Sequence, residues 1–129
     1  MTYESKECLK GFIIPIFLGD TKESRILSKN IFKKLGIVSM ICDTQQTFAS
    51  KMLLCVKFYR LFKTDNLEIF KEQLLDIARK YSDFILIIVP FSDEFSLPFT
   101  QFKDELENHF IVTSPSAFFN CAPISNILS

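Results

Sequence analysis

Seven residues are the candidates for chemistry in this chain: Gly19, Asp20 and Thr21, then Asp43, then Ser92, Asp93 and Glu94. They fall in three clusters, each directly after an apolar run. Small, hydroxylated and acidic residues at such junctions lie where backbone amides at a helix N-terminus hold a carboxylate or a phosphate. In a parallel sheet the carboxyl ends of the strands are also where ligands bind. The same residue types serve as plain helix caps, Asp20 and Ser92 above all, because a side-chain oxygen satisfies the free N–H groups of a first turn. Both readings stand on the sequence alone.

Other chemistries lack their parts. The three glycines, Gly11, Gly19 and Gly36, allow neither a dinucleotide fingerprint nor a phosphate-binding P-loop. A phosphoacceptor would need paired acids after the first apolar run and an aspartate ending the third, but the chain has Asp20 alone and Phe62-Lys63-Thr64. Ser92 is not in a Gly-x-Ser-x-Gly elbow. The single histidine, His109, falls near an expected helix end, which suits a solvated or core-edge role. Cys8, Cys42, Cys55 and Cys121 are widely spaced, so they read as small hydrophobes of a reduced protein rather than zinc ligands or a redox pair. With no nucleophile-base pair in view, a complete enzyme is the weakest of the readings. Lys51, Lys57, Arg60 and Lys63 interleave with Phe58, Tyr59 and Phe62, yet the 15 basic and 15 acidic residues cancel, which favours a solvated sheet edge and argues against a nucleic-acid partner.

The elements that must position the seven residues follow from periodicity. Gly11 to Gly19 reads as a first strand, and Asp20 with Glu23 has the spacing of an acidic capping box opening a helix. Ile26, Leu27, Ile31 and Leu35 recur at helical spacing, and Gly36 stands where a left-handed cap would end that helix. Ile37 to Cys42 is a second buried strand, and the strand-helix-strand unit implies a parallel, right-handed crossover. Thr44 to Ser50 reads as loop with a short helical turn. Leu53 to Phe62 is a third strand of mixed polarity, nearer the sheet edge.

Asp65 with Glu68 repeats the capping spacing ahead of a long stripe, Leu67, Phe70, Leu74, Ile77, Ala78 and Tyr81, with Asp76 and Lys80 paired on the other side. Phe84 to Val89 is a near-continuous apolar run, as a strand covered on both faces requires. Phe99, Phe102, Leu106 and Phe110 mark the next apolar face. Pro98 leaves two arrangements there: Ser96 caps a helix beginning at Leu97, or a short turn from Asp93 breaks at the proline. Ile111 to Thr113 supplies a short fifth strand, Ser114 to Ser116 opens a last turn or helix, and Phe118 to Ser129 is an uncharged tail. The alternation predicts a single domain over residues 1–129, a three-layer α/β/α Rossmann-like sandwich with a mostly parallel sheet of four or five strands in the order 3-2-1-4.

The 129 residues suffice for one core. The longest apolar runs, Phe12 to Leu18 and Phe84 to Phe91, fall far short of the ~20 residues a membrane helix needs and are broken by Pro15 and Pro90. The N-terminus carries acidic residues and lacks the pattern of a signal peptide. The expectation is a cytoplasmic protein with no membrane partner.

The Phe84 to Phe95 stretch closing at Lys103 to Phe110, together with Ile16-Phe17-Leu18-Gly19-Asp20 and Gly36-Ile37-Val38, resembles the N-terminal, pre-ATP-grasp domain of ATP-grasp carboxylate-amine ligases, D-aspartate ligase-like members in particular. The similarity runs from about Phe12 to Pro115 through diffuse patterns. It implies that Gly19, Asp20, Thr21, Asp43, Ser92, Asp93 and Glu94 lie on the side of the acceptor substrate, a small carboxylate or amino acid. ATP and magnesium belong in that family to later domains, which have no counterpart before Ser129. The resemblance therefore implies a fragment or truncated product, inactive alone, with an apolar face through which it self-associates. Family members usually run helical through the position of Pro98. The alternative expectation is a free-standing, non-catalytic module that binds a small anion or amino acid at the strand ends.

Overall fold

A computed structural model of the chain describes residues 13–63 and 65–116. Five parallel strands form one sheet: β1 (Ile13–Leu18), β2 (Ser39–Asp43), β3 (Val56–Arg60), β4 (Ile85–Pro90) and β5 (Ile111–Val112), in the order β3-β2-β1-β4-β5. Helix α1 (Lys22–Leu35) joins β1 to β2, α2 (Phe48–Lys51) lies between β2 and β3, α3 (Leu67–Lys80) leads into β4, and α4 (Asp93–Gln101) and α5 (Lys103–Leu106) lead into β5. This is the α/β fold expected from the alternation, with the expected order and the fifth strand added beyond β4. After β1 the chain moves outward to β2 and β3, then returns to lay β4 on the opposite side of β1. The switch point of the sheet is thus the seam between β1 and β4.

The pleat explains the two cores. Ile16, Leu18, Met40, Cys42, Leu86 and Ile88 face one side and pack with Phe70, Leu74 and Ile77 of α3 and with Phe95, Phe99 and Leu106 of α4 and α5. Phe17, Ile41 and Val89 face the other side and meet Leu27 and Ile31 of α1. Strands covered on both faces need the continuous apolar runs that β1 and β4 show. Phe17 meets Phe91 edge-to-face at 5.3 Å, a contact worth about 1 kcal/mol beyond area burial. Pro15 is tolerated in this central strand because the β1–β2 ladder starts only at Ile16 with Met40, leaving Pro15 paired on the β4 side alone.

Several local expectations are corrected. The first cap is Thr21, not Asp20: Thr21 Oγ1 accepts from the Ser24 N–H, and Ser24 Oγ accepts from the Thr21 N–H, so the reciprocal box is built from two hydroxyls one residue later than expected. Ile26 is half exposed and stands off the core face. Gly36 does end α1 in a left-handed conformation, φ 70°. The α3 cap is Asn66, whose side chain accepts from Glu68 N–H, and not Asp65. Asp76 pairs with Arg79 rather than Lys80. The third strand is shorter than Leu53 to Phe62, and the fifth stops at Val112.

Neither arrangement at Pro98 occurs. Ser92 is the N-cap and α4 runs unbroken through the proline to Gln101. The bond lost is the one to the carbonyl of Glu94, an exposed residue that water reaches. The break comes later, at Phe102, which ends α4 and starts α5. Lys71 then ties α3 to α5, with Nζ 2.9 Å from Glu68 and 3.1 Å from Glu105. The start of the expected first strand, Thr64, and the tail from Phe118 lie outside the described residues. No helix among the described residues is long and apolar enough to cross a membrane.

Candidate functional site

The carboxyl ends of β1, β2 and β4 carry all seven candidates, and hydrogen bonding sorts them into two groups. Asp20 follows Gly19 at the end of β1 and its side chain is completely buried. Its Oδ2 accepts from the Thr47 N–H at 2.8 Å and from Thr47 Oγ1 at 2.9 Å, while Oδ1 meets Arg25 Nη1 at 2.9 Å. The Asp20 N–H donates to Asp43 Oδ2 at 2.8 Å, and Asp43 Oδ1 accepts from the Thr44 N–H at 2.7 Å. Arg25 Nη1 also donates to the Asp20 carbonyl at 3.2 Å. Burying a carboxylate is costly unless it is paired and hydrogen-bonded, and here both oxygens are. Thr47 is in turn the N-cap of α2, so Asp20 fastens the whole loop between β2 and β3 to the start of α1. Gly19, Asp20, Thr21 and Asp43 therefore form a closed internal knot.

The second group is open. Gly19 has φ +124°, and a Cβ there would stand 2.8 Å from Ser92 Cβ and 3.0 Å from Ser92 N. The absent side chain lets β1 and the start of α4 close on one another at the switch point, where the N–H groups of Phe91 and Ser92 both donate to the Leu18 carbonyl. Ser92 makes no side-chain cap bond, and Asp93 and Glu94 are exposed in the first turn of α4, forming no ion pair among the described residues. Glu94 lines a cavity of about 50 Å³ together with Thr44, Lys63 and Phe62.

Reactive groups are sparse here. Burial raises the Cys42 thiol well above its ordinary range, and the charge of Asp43 raises it further, so Cys42 stays protonated. Cys55 is likewise a buried free cysteine, as the spacing implied, and His109 is exposed. Among the described residues no group of three His, Cys, Asp or Glu side chains could hold a metal ion. The arrangement orients groups at a rim and builds no nucleophile.

Arg25 and Thr47 were not among the sequence candidates. The one trace of Thr47 in the sequence is its spacing from Ser50, a hydroxyl three residues before the residue whose amide it caps. Its bond to Asp20, 27 residues away, leaves no local pattern. Comparison of the chain with protein-family models, with curated proteins and with solved structures finds no match.

Proposed function

We propose that this chain is the substrate-side, amino-terminal module of a cytoplasmic ATP-dependent carboxylate-amine ligase, offering a shaped rim to the acceptor amino acid while ATP and magnesium are held by other domains. The observation that carries the reading is the division at the carboxyl edge. Asp20 and Asp43 are consumed in internal bonding, whereas the Ser92 hydroxyl, Asp93 and Glu94 stand free beside the switch point. Free carboxylates suit the ammonium group of an amino acid, and the first-turn amides of α4 suit its carboxylate. A rim without a phosphate loop contributes position rather than chemistry. Phe48, Met52 and Leu54, in and just after α2, are exposed apolar side chains suited to contact with the rest of such an enzyme or with a second copy.

Calorimetric titration tests this, first with Mg-ATP and then with amino acids including D- and L-aspartate. The expected result is heat from an amino acid and none from Mg-ATP. Binding of Mg-ATP, or silence with every amino acid, would sink the reading. A free-standing binding module is the second reading, favoured by the self-sufficiency of the Asp20 network, in which both carboxylates find their partners within this chain. Sedimentation at high concentration separates the two: self-association supports the first, a monodisperse monomer the second.

A further inference from the structure

Helices α1 and α3 are both 14 residues long, yet their charges are arranged differently. Acids and bases are balanced along α3, where Lys71 pairs with Glu68 and Arg79 with Asp76 and Glu72. Helix α1 carries Lys22, Arg25, Lys29, Lys33 and Lys34 against Glu23 alone. Arg25 is held by Asp20, and Lys22, Lys29 and Lys33 form no ion pair among the described residues. Lys22, Ile26, Lys29 and Lys33 follow one another at helical spacing, which sets them along one ridge, and all four are exposed. Where α1 meets α2 a groove of about 210 Å³ opens, lined by Lys22, Arg25, Ile26 and Lys29 on one side and by Ala49 and Leu53 on the other.

This charge arrangement works against α1 itself. Lys22 stands in the first turn, where the helix dipole favours an acid, and Lys29 and Lys33 are like charges one turn apart. A partner of opposite charge removes both penalties. The apolar part of the groove narrows its identity, because a nucleic acid would leave Ile26 and Leu53 uncovered, and the neutral chain has no overall field to draw a polyanion. A bilayer fits no better: a helix lying in a membrane surface needs its apolar face free, whereas Leu27 and Ile31 of α1 are buried against the sheet. The groove is also smaller than the ~300 Å³ at which small-molecule sites begin, so it takes the side chains of a larger partner. Acidic residues flanking apolar ones meet every requirement, and an amphipathic helix presents them together on one face.

We propose that the groove between α1 and α2 is a docking surface for an acidic amphipathic helix, whose apolar side chains enter against Ile26, Ala49 and Leu53 while its carboxylates meet Lys22 and Lys29. Lys33 extends the contact along α1. The groove shares Arg25 with the closed knot and no residue with the open rim, so its occupant is independent of what the rim binds.

The test is an NMR titration of the full chain with a synthetic amphipathic helix of Glu and Leu, alongside matched peptides in which Gln replaces Glu or Ser replaces Leu. The Glu-Leu peptide is expected to bind about tenfold tighter than either control and to weaken with added salt, with the largest amide shifts at Lys22, Ile26, Lys29, Ala49 and Leu53. Lys22→Glu combined with Lys29→Glu should weaken it about tenfold or more, and Ile26→Ser several-fold. These positions are exposed, and the reversed charges suit both the α1 dipole and the neighbouring Arg25 and Lys33, so the variant stays folded. Lys80→Glu, on the exposed side of α3, should leave binding unchanged. Equal binding of the Glu and Gln peptides, an equal loss in Lys80→Glu, shifts centred away from the groove, tighter binding to phosphatidylserine vesicles or single-stranded DNA, or no shift at millimolar peptide would each overturn the proposal.

Discussion

At the carboxyl edge of the sheet, both oxygens of Asp20 and both oxygens of Asp43 accept hydrogen bonds, and the chain folds tightly around them. At the amino edge, the hydroxyls of Ser39 and Tyr81 are buried but have no hydrogen-bond partner. Topology directs attention to the first edge, since parallel sheets keep ligands at strand carboxyl ends. The state of the polar atoms sets the two edges apart in stability instead. A buried polar group whose bonds are all made contributes to the fold, whereas one left unpaired costs it the lost hydration.

The largest expected effect comes from cutting the closed knot. Asp20→Ala strands the Thr47 amide and leaves Arg25 without its carboxylate, so it should cost about 3 kcal/mol, read as a lower urea midpoint at unchanged slope. Asp20→Asn keeps the shape and part of the acceptor set and should cost about half as much. A loss below about 0.5 kcal/mol for Asp20→Ala would mean that the network does not hold the edge, and the comparison of the two edges would fail there.

The architecture was legible in the sequence where one residue type repeats along one element. The α3 stripe from Leu67 to Tyr81 and the apolar run of β4 need no partner elsewhere to be recognised, and the strand order follows from the alternation they belong to. Caps were legible only to within a residue, because Asp20, Thr21, Asp65 and Asn66 are all able to cap and the choice depends on backbone geometry. Asp20 lost its expected role because Thr47 claims it across 27 residues, a pairing that no local spacing encodes. The amino-edge hydroxyls were invisible for a related reason. Ser39 and Tyr81 are ordinary residues until folding buries their hydroxyls with no hydrogen-bond partner.

A second, smaller effect sharpens the contrast by acting on the seam between the closed and open groups. Gly19→Ala must adopt φ +124° and push its Cβ against Ser92, so it should cost about 2 kcal/mol. Combining it with Ser92→Gly removes the 2.8 Å contact between the two Cβ atoms but not the strained φ or the approach to Ser92 N. The double variant should therefore recover part of the loss and no more, a non-additive result for residues in contact. Full recovery would place the whole cost in the contact, and no recovery would place it in the backbone.

The smallest effect carries the opposite sign. Asp20 is stabilising because its bonds are made, so by the same argument Ser39→Ala and Tyr81→Phe should not destabilise the unliganded protein. Each removes a buried oxygen whose lost hydration nothing in the fold offsets, and each leaves the surrounding apolar walls in place. The expected outcome is an unfolding free energy that is unchanged or higher by up to about 1 kcal/mol, measured by urea unfolding. A loss of about 1 kcal/mol or more in the unliganded Ser39→Ala protein would show that the hydroxyl is already satisfied, and the two edges would then differ in position alone.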